Sequence, residues 1–340
     1  MSWDTAMKLN RLLPPAALAL SLIGAALPGH AAETTRVLTR ESVIARYADA
    51  QSRFIDVDGV DVHYKDEGSG PVLLLVHGTL GDLSDWDAWA AVLSRHYRVL
   101  RLDLPAFGLT GPLRSGNYSV DRWLSLVDAF MDRLGAERFA IAGTSYGGLV
   151  AFRYAATRTD RVTGLILANS AGIQTGKGPS EVEKPSAKAR KIPDASVFSS
   201  PVITADDIEA NLYHLLADEA LVTPERVARK LAYANMRGRG EEAIAGRTLY
   251  ERGDPQRVLA HVRAPALVLW GAANRALNIE TAQAFADAMK NACRVDVRIY
   301  PEAGHMLMVD TAARSAADVQ AFLASLAAAP ACRARPAAQP

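Results

Sequence analysis

Ser145 lies within Gly143-Thr144-Ser145-Tyr146-Gly147-Gly148, between an apolar run suited to a strand and one suited to a helix. In that setting the G-x-S-x-G spacing predicts a nucleophile elbow, with the serine on a sharp, strained turn. Glycine is needed at 143 and 147 because a side chain at either would strike neighbouring backbone. On its own the pentapeptide also suits a glycine-rich turn without chemistry, so its partners decide. A serine hydroxyl holds its proton at neutral pH, and histidine, with an ordinary pKa of about 6.5, can take and return it. Gly304-His305 follows the strand-like run Val295 to Tyr300, where a loop can bring the imidazole over the serine. His77-Gly78-Thr79 ends the run Val72 to Val76, a turn able to aim the Thr79 amide at a developing oxyanion, with the Tyr146 amide as second donor. His77 itself reads as a loop holder. His63 in an early strand, His96 at a helix end, and His214 and His261 in a long insert or its exit read as solvated or satisfied side chains. Trp86, Tyr146, Met306 and Leu307 are candidates for an apolar substrate pocket, and each also suits ordinary packing.

Such groups need a rigid scaffold. From Phe54 onward, strand-like segments alternate with amphipathic helical ones, the pattern of helices packed on a mostly parallel, doubly wound α/β sheet. Phe54 to Val57 and Val60 to Tyr64 flank Asp58-Gly59 as a hairpin, the only antiparallel signal. Further strands are expected at Val72 to Val76, Tyr97 to Leu102, Phe139 to Ala142, Leu165 to Ala168, Ala266 to Trp270 and Val295 to Tyr300. Trp123, Leu124, Val127, Phe130 and Met131 share one helical face. From Ala171 to Val262 about 90 residues separate two strands, far more than a simple crossover needs, which predicts an inserted domain. Thr204 with Asp207 resembles a capping box, and Thr223-Pro224-Glu225 is a cap with proline at the first helical position, so the insert is helical. Gly176 to Ser200 is expected to be a loop. The insert carries 13 basic and 13 acidic residues, so its cluster from Lys184 to Lys191 reads as a solvated face rather than a phosphate or lipid site.

The whole chain has 340 residues, 38 basic against 37 acidic and 49% apolar, the composition of an ordinary folded protein. A net charge of +1 argues against nucleic acid as a partner and leaves a small or neutral molecule. Lys8 and Arg11, the apolar run Leu12 to Leu27 and Gly29-His30-Ala31 read as an export signal cleaved after Ala31, with Met7 as an alternative start. Pro14-Pro15 and Ser21 interrupt that run, against a retained membrane anchor. The expected location is periplasmic or secreted, where Cys293 and Cys332 can pair or remain two thiols. No CxxC or His-Cys cluster signals a metal. The expected layout is a signal at 1–31, an extension at 32–52, a core at 53–170 and 263–326, a cap at 171–262 and a tail at 327–340. Oligomeric state is not legible.

Elbow, oxyanion turn and terminal histidine occur in the order that resembles the alpha/beta-hydrolase family, over about residues 53–326. Asp103-Leu104-Pro105-Ala106-Phe107-Gly108 is similar to that family's D-x-P-G-x-G loop, with Ala106 in place of a usual glycine, and Arg161-Val162 also fits. The resemblance implies a helical cap inserted after the sixth strand and a serine, histidine and acid triad. It also exposes a departure: after Leu269-Trp270-Gly271-Ala272-Ala273 the family usually carries aspartate, and here Asn274 stands. An amide can accept the His305 Nδ1 proton but cannot neutralise an imidazolium, and a flipped amide favours the wrong tautomer. Asn169-Ser170 offers no carboxylate at the alternative position after the sixth strand, which leaves Glu280, Glu302 and Asp310 as substitutes. Glu280 reads as a helix start and Asp310 as the cap of the last helix. The serine implies cleavage of a small, mostly apolar ester, thioester or lactone without a cofactor, with carbon-carbon bond hydrolysis and haloperoxidase chemistry open. The competing expectation, from Asn274, is a ligand-binding or sensor protein with weak or no turnover.

Overall fold

The run Val72-Leu73-Leu74-Leu75-Val76 offers no polar face to water and lies inside an eight-stranded sheet. The computed structural model describes residues 38–175, 203–236 and 253–328. In chain order its elements are α1 (Arg40–Tyr47), β1 (Arg53–Val57), β2 (Val60–Glu67), β3 (Val72–Val76), α2 (Asp87–Leu93), β4 (Arg98–Leu102), α3 (Val120–Arg133), β5 (Phe139–Ser145), α4 (Tyr146–Thr157) and β6 (Val162–Ser170). Then follow α5 (Ala205–Leu215), α6 (Pro224–Ala234), α7 (Pro255–Leu259), β7 (Ala266–Gly271), α8 (Glu280–Ala288), β8 (Val295–Tyr300), α9 (Leu307–Asp310) and α10 (Ala312–Ala328).

The strand order is β1-β2-β4-β3-β5-β6-β7-β8, parallel from β4 to β8. Asp58 and Gly59 both take positive φ, as a tight two-residue hairpin turn requires. The hairpin is not the only antiparallel pairing. β2 runs on to Glu67, and its last four residues pair antiparallel with Val99 to Leu102 of β4. The chain winds outward from β3 to β4, then crosses back to set β5 on the other side of β3. The carboxyl ends of β3 and β5 therefore flank a switch point, where open sheets of this kind make their crevice.

Apolar layers cover both faces of the sheet. Trp123, Leu124, Val127, Phe130 and Met131 of α3 pack in one layer with α4 and α8. The other joins Trp86, Trp89, Val319 and Phe322 to Ile208, Leu212 and Leu216 of the insert. Thr204 and Asp207 form a reciprocal capping box on α5, and Thr223 caps α6 ahead of Pro224. Within the expected N-terminal extension, α1 docks on α6 through the Tyr47 and Tyr233 rings, whose centroids are 5.5 Å apart. The expected export signal, the loop Gly176 to Ser200, Cys332 and most of the expected tail lie outside the described residues. No helix among the described residues is long and apolar enough to cross a membrane.

Candidate active site

Ser145 ends β5 and opens α4 with φ +49° and ψ −119°, a backbone conformation that costs on the order of 1–3 kcal/mol for a residue with a side chain. Two glycines make the turn possible. A Cβ at Gly143 would sit 2.2 Å from the Gly147 carbonyl oxygen, and one at Gly147 would sit 2.2 Å from that of Val76. The turn after β3 comes as close: a Cβ at Gly78 would lie 2.9 Å from the Ser145 Cβ. Thr79 follows directly, and its N–H donates to no group among the described residues. Tyr146 is the first residue of α4, so its N–H has no acceptor within the helix. His77 holds this turn. Its Nδ1 donates to the Gly78 carbonyl at 2.8 Å and its Nε2 accepts from Leu104 N at 2.9 Å, while burial pushes its pKa down.

His305 approaches from the loop after β8. Its Nδ1 lies 3.2 Å from Asn274 Oδ1, and Ser145 Oγ makes no hydrogen bond among the described residues. Asn274 is fully buried in the turn after β7, where Oδ1 also accepts Ala276 N at 2.9 Å and Leu277 N at 3.1 Å. Those two donors settle which way the amide faces, since flipping it would set an NH₂ against both N–H groups. The imidazole therefore carries its proton on Nδ1 and leaves the Nε2 lone pair for the serine. The expected danger of the wrong tautomer does not arise. The missing charge does, and Asn274 Nδ2 is itself buried without a partner among the described residues. Burial, with a further push from His214, holds the His305 pKa down at about 4.

None of the three substitute carboxylates is bonded to His305. Glu302 pairs with Arg314 at 3.0 Å on the surface, and Glu280 opens α8. Asp310 does not cap the last helix. Its carboxylate accepts Gly304 N at 2.8 Å, Ala217 N at 3.1 Å and Asp218 N at 3.2 Å, which ties the histidine loop to the insert. Burial raises its pKa in spite of these three bonds. Two residues near the site were not legible as such. Arg275 Nη1 donates to the Tyr213 and Leu216 carbonyls at 2.6 and 2.9 Å, and His214, far off in sequence, acts electrostatically on His305. The basic residue directly after Asn274 was the one available signal.

Trp86, Met306 and Leu307 come together in one buried apolar layer. Trp86 and Leu307 expose 0% of their surface and Met306 7%. Tyr146 is buried against Trp123, with ring centroids 6.0 Å apart. Among the described residues no His, Cys, Asp and Glu cluster is arranged to hold a metal.

The chain is similar to several known proteins. A dihydrolipoyllysine-residue acetyltransferase component of the acetoin cleaving system from Cupriavidus necator is 29% identical over 272 residues, 78% of this chain and 67% of that protein. The chain thus spans about two thirds of that relative's length. A 2-hydroxy-6-oxononadienedioate/2-hydroxy-6-oxononatrienedioate hydrolase from Burkholderia vietnamiensis is 28% identical over 291 residues, 81% of this chain and 96% of that one. Among solved structures, a membrane phospholipase A described as a bacterial virulence factor superposes with a TM-score of 0.67 at 27% identity, covering 82% of this chain and 87% of its own. The family model for the alpha/beta hydrolase fold matches residues 71–312. With that match over most of the chain, and with Ser145, the turn after β3 and the His305 loop at the carboxyl edge of such a sheet, the chain belongs to the alpha/beta hydrolase fold family.

Proposed function

We propose that the chain is an exported serine hydrolase that cleaves a small, mostly apolar ester or lactone through an acyl-enzyme. The observation that carries this is Ser145, held at positive φ beside Gly78 while Asn274 presents a neutral imidazole with its Nε2 lone pair free. Ser145 Oγ attacks the carbonyl carbon as His305 Nε2 takes its proton. The oxyanion falls to the Thr79 and Tyr146 amides, and losing one such donor typically costs about 10² to 10³ in rate. Collapse breaks the bond to the leaving oxygen, which takes the proton from His305. Water, deprotonated by the same imidazole, then releases the acid and frees Ser145. Among the described residues no carboxylate bonds the imidazole, so the imidazolium is uncompensated in both steps and the enzyme is slow for its fold. The nucleophile is tested by a fluorophosphonate probe: it should label Ser145 in folded protein, and no labelling beside a reactive control overturns the reading. Turnover of short acyl esters, lactones and a vinylogous 1,5-diketone separates ester from carbon-carbon chemistry.

Asn274 favours a second reading, a ligand-binding or sensor protein with weak or no turnover. Robust ester turnover that vanishes in Ser145→Ala excludes it. Export is tested separately, by finding whether the mature chain begins near Ala32.

A further inference from the structure

Lys230, on cap helix α6, is only 5% exposed, and its ammonium meets two carboxylates of the core that are buried to the same degree. Nζ lies 2.8 Å from Asp82 Oδ2 and 2.8 and 2.9 Å from the two oxygens of Asp85. Burial opposes every charge here. Asp82 is nevertheless held below the ordinary carboxylate range by Lys230, and Lys230 above the ordinary lysine value by both acids, whereas burial keeps Asp85 raised. Removing one member of such a set strands the others, so the cluster fixes where α6 can dock.

The two acids sit at the end of the oxyanion turn. Asp85 Oδ2, which takes one of the Lys230 bonds, also accepts Asp82 N at 3.2 Å. The preceding residue, Gly81, donates to the Gly78 carbonyl at 3.0 Å and packs so closely that a Cβ would lie 2.8 Å from the same Asp85 oxygen. Between them, Leu80 is held at φ +54°. A continuous path of hydrogen bonds and contacts thus runs from the cap through Asp85 to the turn that carries Thr79.

We propose that Lys230 is a positioning residue for the oxyanion amide of Thr79, clamping Asp82 and Asp85 so that docking the cap and setting the oxyanion turn are one event. The inference rests on the serine-hydrolase reading for its catalytic consequence. The other end of the cap behaves alike, since His305 N and Met306 N both donate to the Leu215 carbonyl, at 2.7 and 3.2 Å. The cap thereby touches both halves of the machinery, through the Lys230 ion cluster at one end and through the Leu215 carbonyl and the Asp310 carboxylate at the other.

The test compares the full chain with Lys230→Met, Lys230→Arg and Asp85→Ala, well below each melting temperature. In Lys230→Met, amide exchange should rise about tenfold or more across 78–86 together with 224–234. The kcat for a short ester should fall about 10- to 100-fold, up to the loss of one oxyanion donor, with KM changed less than about threefold. Lys230→Arg should recover most of both. A folded Lys230→Met whose turn stays as protected as wild type, or whose kcat is unchanged, overturns the proposal. If Lys230→Met does not fold, Asp85→Ala decides. It takes away the carboxylate that joins Lys230 to the turn, so 78–86 should loosen and kcat fall, with 224–234 loosening to a lesser degree because Asp82 still pairs with Lys230, and an undisturbed turn overturns the proposal. Exchange requires no turnover. An inert wild type that takes no fluorophosphonate would sink the hydrolase reading while leaving the Lys230 linkage to stand or fall on the exchange result.

Discussion

Two histidines of this chain meet an Asx side chain through Nδ1, and the one outside the proposed site has the fuller set of partners. His63 Nδ1 is 2.6 Å from Asp103 Oδ2 and its Nε2 is 2.9 Å from Ser52 Oγ. Among the described residues the His305 ring has an amide alone, at 3.2 Å, and no bond to Ser145. By residue type the first is a complete Ser-His-Asp array. Yet Ser52 lies on an ordinary turn with its Oγ 3.3 Å from the Asp49 carboxylate, where a developing oxyanion would be repelled. Asp103 also accepts Leu83 N and Leu109 N, both at 2.7 Å, so its charge serves the scaffold. What sets Ser145 apart is a strained turn pressed against Gly78, and in the proposed mechanism two oxyanion amides, which no list of triad residues contains.

The largest expected effect decides between the two serines. Ser145→Ala should lower kcat by about 10⁴-fold or more, while Ser52→Ala should leave ester turnover within about twofold. Equal losses, measured on folded variants, would break the comparison.

Next in size is the charge itself. Asn274→Asp keeps an oxygen for Ala276 N and Leu277 N and sets a carboxylate against the imidazolium, so kcat should rise by about 10- to 10³-fold. The ceiling comes from the reverse change in a serine protease, about 10⁴. An unchanged or lower rate, with activity abolished in Glu280→Gln, Glu302→Gln or Asp310→Asn, would hand the acid role to the residue that responds.

The contrast between these regions also explains what was legible in the chain. Gly143, Ser145 and Gly147 announce the elbow because sterics admit few residue types there, and the apolar runs of β3 to β8 announce their strands for the same kind of reason. The β2 to β4 pairing was missed, since Lys65, Asp66 and Glu67 look like the end of a strand and pair at the sheet's more polar side. Asp310 was misplaced as a helix cap because its partners, Gly304, Ala217 and Asp218, come together only through the fold. Nothing in the sequence around Lys230 sets it apart from a surface charge. A buried ion cluster assembled from residues some 145 positions apart leaves no local pattern.

On the scaffold side, Asp103→Asn turns an NH₂ toward one of the N–H donors it now satisfies. The expected loss is about 2–4 kcal/mol in urea unfolding, with a smaller change in kcat. A pH profile sharpens the other side. His305 serves as a base only when neutral, and burial places its pKa at about 4, so wild-type kcat/KM should stay level from pH 8 to about 5 and fall as pH drops through about 4. Asn274→Asp favours the imidazolium and should move that limb upward. A wild-type limb near 6.5 would mean that His305 is solvated or paired with a carboxylate.

The smallest expected effect lies in the loop that Asp103 opens. Ala106 stands at φ +69°, in a position where the similar D-x-P-G-x-G loops usually have glycine. A left-handed alanine costs about 1–2 kcal/mol, because its Cβ crowds the following carbonyl. Glycine removes that strain but gains freedom in the unfolded chain, which returns about 0.4–1 kcal/mol. Ala106→Gly should therefore stabilise the protein by about 0.5–1 kcal/mol in urea unfolding. Since Leu104 N bonds His77 and Leu109 N bonds Asp103, the relief stays within the scaffold, and kcat should hold within about twofold. Destabilisation would show that the Ala106 methyl, 2% exposed in the core layer, contributes more by packing than it costs in strain.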